Sequence, residues 1–224
     1  MIAAALCLSA LGGFSGARAT LALMTGSGTL SHNTITTGAW ATATTWYLHN
    51  NPTPPVANTT AQFNLALNGT APTATTLVNY DTDCDARVGR SINRGGGAVT
   101  ETGACLYATW RSAALSAART LNGTATLTIW ARKSAANGSN PTLRAFLRVF
   151  DPGTSTYVAL GSANVSVTND SSTAWASYAL NWSLASVSVP AGRQIEVKIV
   201  ATGSNRDPEI AYDTTATATS LQLP

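Results

Sequence analysis

The sequence predicts an all-β protein, an antiparallel β-sandwich of jelly-roll-like form that follows an N-terminal hydrophobic export segment. Three observations carry this prediction. Apolar residues alternate with polar residues in short runs, as they do in strands that bury one face. Asn, Gly and Pro punctuate the chain between these runs. Charged residues make up only 10% of the chain and hydrophobic residues 45%, which disfavours surface helices, because those helices are built with Glu, Lys and Arg.

The predicted strands follow one another from residue 44 to the end of the chain. They cover residues 44–49, 63–68, 124–131, 143–150, 178–184, 195–199 and 221–223. Residues 112–119 are rich in alanine, but Leu115 is almost their sole apolar anchor, so we predict strand or loop there rather than helix. About nine to eleven short strands with turns between them favour a jelly roll over an immunoglobulin-like sandwich.

The chain divides into three predicted parts. Residues 1–24 form a signal or export segment, residues 25–42 an N-terminal arm or first strand, and residues 43–224 the β-sandwich domain. Residues 1–14 are apolar and rich in small residues, and this run is shorter than the about 20 apolar residues that span a bilayer. Such a run is typical of a signal peptide. The alternative is a buried helix of the mature fold.

Two stretches carry a resemblance to known families. Residues 33–38 read NTITTG after an apolar stretch, and this junction resembles that of SipW-dependent exported proteins, which include the TasA and camelysin type of surface and matrix-fibre proteins. Residues 24–26 depart from the aromatic and acidic step of that family. From residue 47 onward the chain is similar to uncharacterised exported bacterial β-proteins of jelly-roll-like form, through YLHNNPTPP at 47–55 and AYDTT at 211–215. The resemblance implies export to a prokaryotic cell surface or extracellular space.

Signatures of catalysis are absent from the sequence. The only histidines are His32 and His49, no His-Glu-x-x-His or Gly-x-Ser-x-Gly motif occurs, and a Ser–His–Asp triad would have to recruit His49. A glycosidase needs two carboxylates, yet we expect Glu196 on the outward face of its strand and Glu209, beside Asp207, in an exposed loop. The net charge of +3 is scattered, which argues against nucleic-acid binding. We therefore expect a protein that is not an enzyme.

A cluster of carboxylates is the strongest candidate for a metal site. Asp81, Asp83 and Asp85 occur at every second residue, and a looped backbone could direct all three at one Ca²⁺, which prefers oxygen ligands and tolerates irregular geometry. Asp213 from the last part of the chain is a candidate fourth ligand. The alternative is a solvated acidic turn that is capped by Arg87 and Arg90.

The cysteines and aromatic residues give two further predictions. Cys84 and Cys105 are the cysteines left when the export segment with Cys7 is removed, and we predict a disulfide between them, because an oxidising compartment allows it. Trp130 and Phe146 fall on strand faces opposite the aliphatic stripe. They are candidates for stacking on a sugar ring, unless a second layer or a loop covers them.

Two functions fit these observations. The first is a structural protein of the cell surface or extracellular matrix that assembles with itself, through an arm of residues 25–38 that adds to the sheet edge of a neighbour. The second is a jelly-roll carbohydrate-binding module or lectin with a calcium site. The expected partners are thus other copies of the chain or a polysaccharide, and a membrane is contacted only through the export segment.

Overall fold

A computed structural model describes residues 28–30, 33–35, 44–50, 65–81, 84, 87–203 and 205–224. These residues form strands and loops, and no helix occurs among them. The chain separates into two compact units, one up to Ala41 and one from Thr42. In the first unit, β1 (Gly28–Leu30) pairs antiparallel with β2 (Asn33–Ile35). The described strands of the predicted arm therefore pair with each other.

The second unit contains eleven strands in the residues described. They are β3 (Thr44–His49), β4 (Leu65–Asn68), β5 (Arg90–Ser91), β6 (Tyr107–Arg111), β7 (Arg119–Lys133), β8 (Thr142–Asp151), β9 (Thr156–Ser166), β10 (Ala176–Val189), β11 (Gln194–Thr202), β12 (Pro208–Ala211) and β13 (Ser220–Leu223). Every predicted strand from residue 44 onward has its counterpart, and most of residues 112–119 form a loop, one of the two states predicted there. The sequence prediction did not identify β5, β6, β9 or β12.

The strands of this unit form one large mixed sheet. Its order is β5-β12-β7-β13-β3-β4-β6-β11-β8-β9, and β10 pairs with the other edge of β7. The pairing of β4 with β6 is parallel, so the prediction of a purely antiparallel sheet is wrong at this position. The reason is that β4 and β6 are not joined by a hairpin, so nothing in the connection forces them to run in opposite directions.

The sheet folds over on itself around a main apolar core. The aliphatic stripes predicted on β7, β8, β10 and β11 are buried, and they include Leu127, Leu147, Leu180 and Ile199. Each side chain of this kind stabilises the fold by about 1.5–3 kcal/mol when fully buried. β9 and β10 also contact each other. The alternate residues of β6, β8 and β11 face away from this core, and that opposite face carries the candidate site.

Candidate ligand-binding cleft

A cleft of about 460 Å³ lies on the outer face of β6, β11, β8 and β9. Strand pairing builds it row by row, because side chains two residues apart share a face. In one row Glu196 on β11 lies opposite Arg111 on β6 and Arg148 on β8. In the next row Lys198 lies opposite Thr109 and Phe146. The volume of the cleft is in the range of small-molecule sites. We call this site the basic cleft.

Glu196 is the centre of the first row and is completely buried. Its Oε2 accepts a hydrogen bond from Arg111 Nε at 2.5 Å, and its Oε1 accepts one from Arg148 Nε at 2.7 Å and a second from Arg148 Nη2. Glu196 lies on the outward face of its strand, as expected, but it is not exposed, because the two guanidinium groups cover the carboxylate. A buried carboxylate is tolerated when it is paired in this way.

Tyr157 on β9 forms an aromatic wall of the basic cleft. Its side chain is 45% exposed, and its hydroxyl accepts a hydrogen bond from Arg111 Nη2 at 2.7 Å. The guanidinium carbon of Arg148 lies 4.1 Å from the centre of its ring, and the ring of Phe150 lies 5.0 Å away. Cation–π and aromatic contacts of this kind fix the orientation of the ring. Tyr157 therefore offers a positioned aromatic surface to a ligand.

Lys198 attaches the loop that forms another wall of the basic cleft. Its Nζ donates to Val99 O at 2.8 Å and also to Glu101 O, and it lies 4.4 Å from the centre of the Tyr107 ring. Burial, and then the charge of Arg148, lower the pKa of Lys198 to about 8. Burial raises the pKa of Tyr107 to about 12. At neutral pH the lysine therefore remains mainly a cation, and the tyrosine keeps its proton.

The Cys84–Cys105 disulfide is present, as the sequence predicts. It joins the loop after Asp81 to the segment before β6. Cys84 N donates to Asp81 O at 2.7 Å, and Cys105 O accepts from Asn93 N at 2.7 Å. The covalent link thus secures the chain two residues before Tyr107 of the basic cleft. A disulfide is compatible with an oxidising compartment.

The two predicted calcium ligands that the structure describes, Asp81 and Asp213, lie in different environments. Asp83 and Asp85 are outside the described residues. Asp81 is buried, and its Oδ2 accepts from Ser91 N at 2.8 Å. Asp213 Oδ2 accepts from Asn50 N at 3.0 Å. The described residues contain no group of three or more His, Cys, Asp or Glu residues that could hold a metal ion, and calcium binding by the whole cluster stays a prediction.

The two arginines that could cap an acidic turn also make other contacts. Arg90 is buried and donates from Nε to Tyr212 Oη at 2.9 Å and from Nη2 to Tyr80 O at 3.0 Å. Arg87 Nη1 donates to Glu209 Oε1 at 3.1 Å. Both arginines therefore help to hold the β5 and β12 end of the sheet.

Glu209, beside Asp207, does not lie in the exposed loop that we expected. Glu209 is fully buried on β12, and its Oε2 accepts from Arg132 Nε at 2.7 Å. Asp207 Oδ1 accepts from Arg94 Nε at 2.6 Å. The expectation of an exposed loop at Glu209 is wrong because β12 lies between β5 and β7 in the sheet. Each carboxylate is bound to a different arginine.

The two aromatic candidates for sugar stacking differ in exposure. Trp130 is half-buried. Phe146 is 6% exposed and packs with Tyr107 and Val200 in a small second cluster. Phe146 is thus covered, which is the alternative that the sequence left open, and it offers no stacking platform. Tyr157 is an exposed aromatic side chain on this face. The sequence of β9 is apolar at consecutive positions, so it lacks the alternation of apolar and polar residues that would have predicted a strand at Tyr157.

His49 and Asp213 form a dyad that holds two distant parts of the chain together. His49 Nδ1 lies 2.6 Å from Asp213 Oδ1, and His49 Nε2 lies 2.9 Å from Thr70 O. Asp213 Oδ1 and Thr70 O can both accept a hydrogen bond from the ring when both of its nitrogens carry protons. The hydrogen bond to Asp213 accordingly raises the pKa of His49, against the opposing effect of burial. Because Nε2 is bonded to a carbonyl oxygen, this imidazole is not placed to activate a serine.

Replacement of His49 by alanine is expected to destabilise the protein in a pH-dependent way. A raised folded-state pKa contributes stability that is fully present below the unfolded pKa of about 6.5 and is lost as the pH rises through the folded value. The difference in free energy of unfolding between the protein and His49→Ala should thus be larger at about pH 5.5 than at about pH 9. Urea unfolding at both pH values measures it. A difference that does not change with pH would contradict the role of the protonated imidazole, and Asp213→Asn should reproduce the loss.

Comparison with known proteins shows which fold the chain resembles, but it does not show an activity. No family model matches the chain, and the comparison with curated proteins finds no match. Among solved structures it is similar to an aminopeptidase from a marine sediment archaeon, Thaumarchaeota archaeon, with a TM-score of 0.52 and 10% identity over 80% of this chain and 36% of that one. An α-amino acid ester hydrolase matches with a TM-score of 0.55 and 11% identity, over 84% and 37% of the two chains.

A CocE/NonD family hydrolase from Staphylococcus aureus matches similarly, with a TM-score of 0.52 and 10% identity over 82% of this chain and 36% of the hydrolase. This chain thus spans just over a third of the length of the enzymes it resembles. At such low identity the similarity concerns the fold alone, which is an all-β domain of the β-sandwich type. Within the part of the chain that the structure describes, no helix is long and apolar enough to cross a membrane.

Proposed function

We propose that this chain is an exported, non-enzymatic β-sandwich of jelly-roll type that binds a saccharide in the basic cleft. The observation that carries this proposal is the exposed ring of Tyr157 beside a fixed set of hydrogen-bond donors. Sugar rings bind through an aromatic face together with directed hydrogen bonds, and a concave site buries the ligand from several sides. Binding at a bacterial cell surface or in its extracellular matrix fits the SipW-like junction and the disulfide.

The cleft favours binding over hydrolysis for a chemical reason. Hydrolysis of a glycosidic bond needs two carboxyl groups at the scissile bond, one of them able to donate a proton. Both oxygens of Glu196 accept hydrogen bonds from Arg111 and Arg148, so this carboxylate is occupied by the protein's own side chains.

Replacement of Tyr157 by alanine tests this proposal. The full chain is passed over a panel of immobilised polysaccharides, and the affinity for those retained is measured by calorimetry. Loss of the ring should weaken binding by about two- to thirteenfold, the effect of an aromatic contact of about 0.5–1.5 kcal/mol. Val158→Ala is the matched control, because Val158 is 64% exposed and is the next residue of the same strand. Retention of no polysaccharide, or equal affinity of Tyr157→Ala and the unaltered protein, would contradict the proposal.

A self-assembling surface or matrix fibre is the second candidate, and one feature of β9 supports it. β9 is the end strand of the sheet that the described residues form. It extends over eleven residues and contains no charged residue and no proline. Proteins commonly protect edge strands with such residues, because an unprotected edge pairs with other chains. Electron microscopy of the full chain should then show fibres, and Val158→Lys should abolish them. A monodisperse monomer at high concentration would rule out assembly.

A further inference from the structure

The arginines of the basic cleft keep hydrogen-bond donors that no residue in the described part of the chain uses. Arg111 bonds through Nε to Glu196 and through Nη2 to Tyr157, whereas Arg148 bonds through Nε and Nη2 to Glu196. An arginine has five N–H donors. The Nη1 atom of each side chain makes no hydrogen bond to the residues that the structure describes, and both side chains line the cleft.

The Nη1 atoms of Arg111 and Arg148 are held in place. Arg148 is 6% exposed and forms a two-nitrogen contact with Glu196 Oε1. Arg111 lies with its guanidinium carbon 3.6 Å from the centre of the Phe150 ring. A ligand that accepts from both Nη1 atoms would therefore lose little entropy in ordering the site.

The charge of the cleft is also unbalanced. Three cations, Arg111, Arg148 and Lys198, are accompanied by the two carboxylates Glu196 and Glu101. The sum is one positive charge in a partly dry site, where electrostatic interactions are stronger than in water. Lys198 donates to two backbone carbonyl groups, so its charge acts on a ligand mainly through space.

We propose that the ligand of the basic cleft is an acidic saccharide, one that presents a carboxylate to Arg111 and Arg148 while its ring contacts Tyr157. This inference rests on the saccharide site proposed above and adds the chemical class of the sugar. A carboxylate has two acceptor oxygens, which match two neighbouring guanidinium groups, and such charge-assisted hydrogen bonds are about twice as strong as neutral ones. A single carboxylate also neutralises the excess charge.

Calorimetry with a matched pair of ligands tests the inference. Oligogalacturonate is compared with the same oligosaccharide after its carboxyl groups have been reduced to alcohols, both in EDTA so that calcium bridges are excluded. The full chain should bind the carboxylated form at least about tenfold more tightly, as charge-assisted bonds predict. This preference should decrease when sodium chloride is raised from about 0.05 to about 0.5 M, because salt screens the attraction.

Arg148→Met locates the preference within the cleft. Glu196 retains Arg111 in this variant, so the carboxylate stays paired, and circular dichroism checks that the variant is folded. The preference for oligogalacturonate should fall to about threefold or less when one of the two guanidinium groups is lost. Arg132→Met is the matched control, because Arg132 also belongs to a buried ion pair, with Glu209, but it does not line the cleft.

The outcomes separate the two proposals. Equal binding of the carboxylated and reduced forms would overturn the acidic ligand and leave the saccharide site standing. Binding of neither form, with no other polysaccharide retained, would overturn both. A preference that Arg148→Met leaves unchanged would show that the carboxylate binds outside the basic cleft. Should Arg148→Met fail to fold, the salt dependence of the unaltered protein decides: a preference that salt does not reduce overturns the inference.

Discussion

Replacement of Glu196 by alanine is expected to lower the free energy of unfolding by about 3–5 kcal/mol, the usual cost of removing one partner from a buried ion pair. Glu196 is completely buried between Arg111 and Arg148. Without the carboxylate, Arg148 would remain 6% exposed with no counter-charge beside it. Equilibrium unfolding in urea, followed by tryptophan fluorescence, measures the change.

Two further variants show that the effect comes from charge rather than from lost volume. Glu196→Gln keeps the shape of the side chain and its carbonyl acceptor, so it should cost less than Glu196→Ala. The double variant Glu196→Leu with Arg148→Met removes both charges and should recover part of the stability, since apolar replacements of buried ion pairs are often tolerated. A loss below about 1 kcal/mol for Glu196→Ala would contradict the burial of this ion pair, because exposed pairs contribute that little.

Loss of the disulfide is expected to have the next largest effect. Cys84 and Cys105 are 21 residues apart, and a closed loop of this size stabilises a protein by about 3 kcal/mol, mainly by restricting the unfolded chain. The variant Cys84→Ser with Cys105→Ser should lose this amount in urea unfolding. Reductant should destabilise the unaltered protein by a similar amount.

The double serine variant is also the control for the reductant, to which it should be insensitive. The disulfide links Cys84 to Cys105, two residues before β6 begins. Hydrogen exchange of the double serine variant should therefore show the greatest loss of protection near Tyr107 of the basic cleft. Equal stability of the oxidised and reduced protein would contradict the constraint that the disulfide is expected to impose.

Strands with one buried face were the predictable part of the fold. β7, β8, β10 and β11 alternate because one side packs on the core and the other does not. β9 escaped prediction for a physical reason. Its pairing with β8 shifts register between Leu147 and Arg148, and Tyr157, Val158, Ala159 and Leu160 are consecutive, so the alternation is lost. The parallel pairing of β4 with β6 depends on distant contacts that no local pattern records.

The site was predictable only in part. Alternation along β11 separates Glu196 and Lys198 from the aliphatic stripe, and it does the same for Arg148 on β8. The sequence does not reveal that this second face is covered, because the register that places Glu196 between two arginines joins strands from three parts of the chain. Glu209 was misjudged for the same reason, since Arg87 and Arg132 reach it from elsewhere.

The central claim is that the basic cleft is where this protein binds its ligand. The most direct test is to titrate the ¹⁵N-labelled protein with a saccharide that it binds and to monitor the amide chemical shifts. We expect the shifts to concentrate on β6, β8, β9, β11 and residues 99–102, around Arg111, Arg148, Tyr157 and Lys198. Shifts that concentrate instead around Trp130 or the loop after Asp81, or that are absent at a saturating ligand concentration, would contradict the claim.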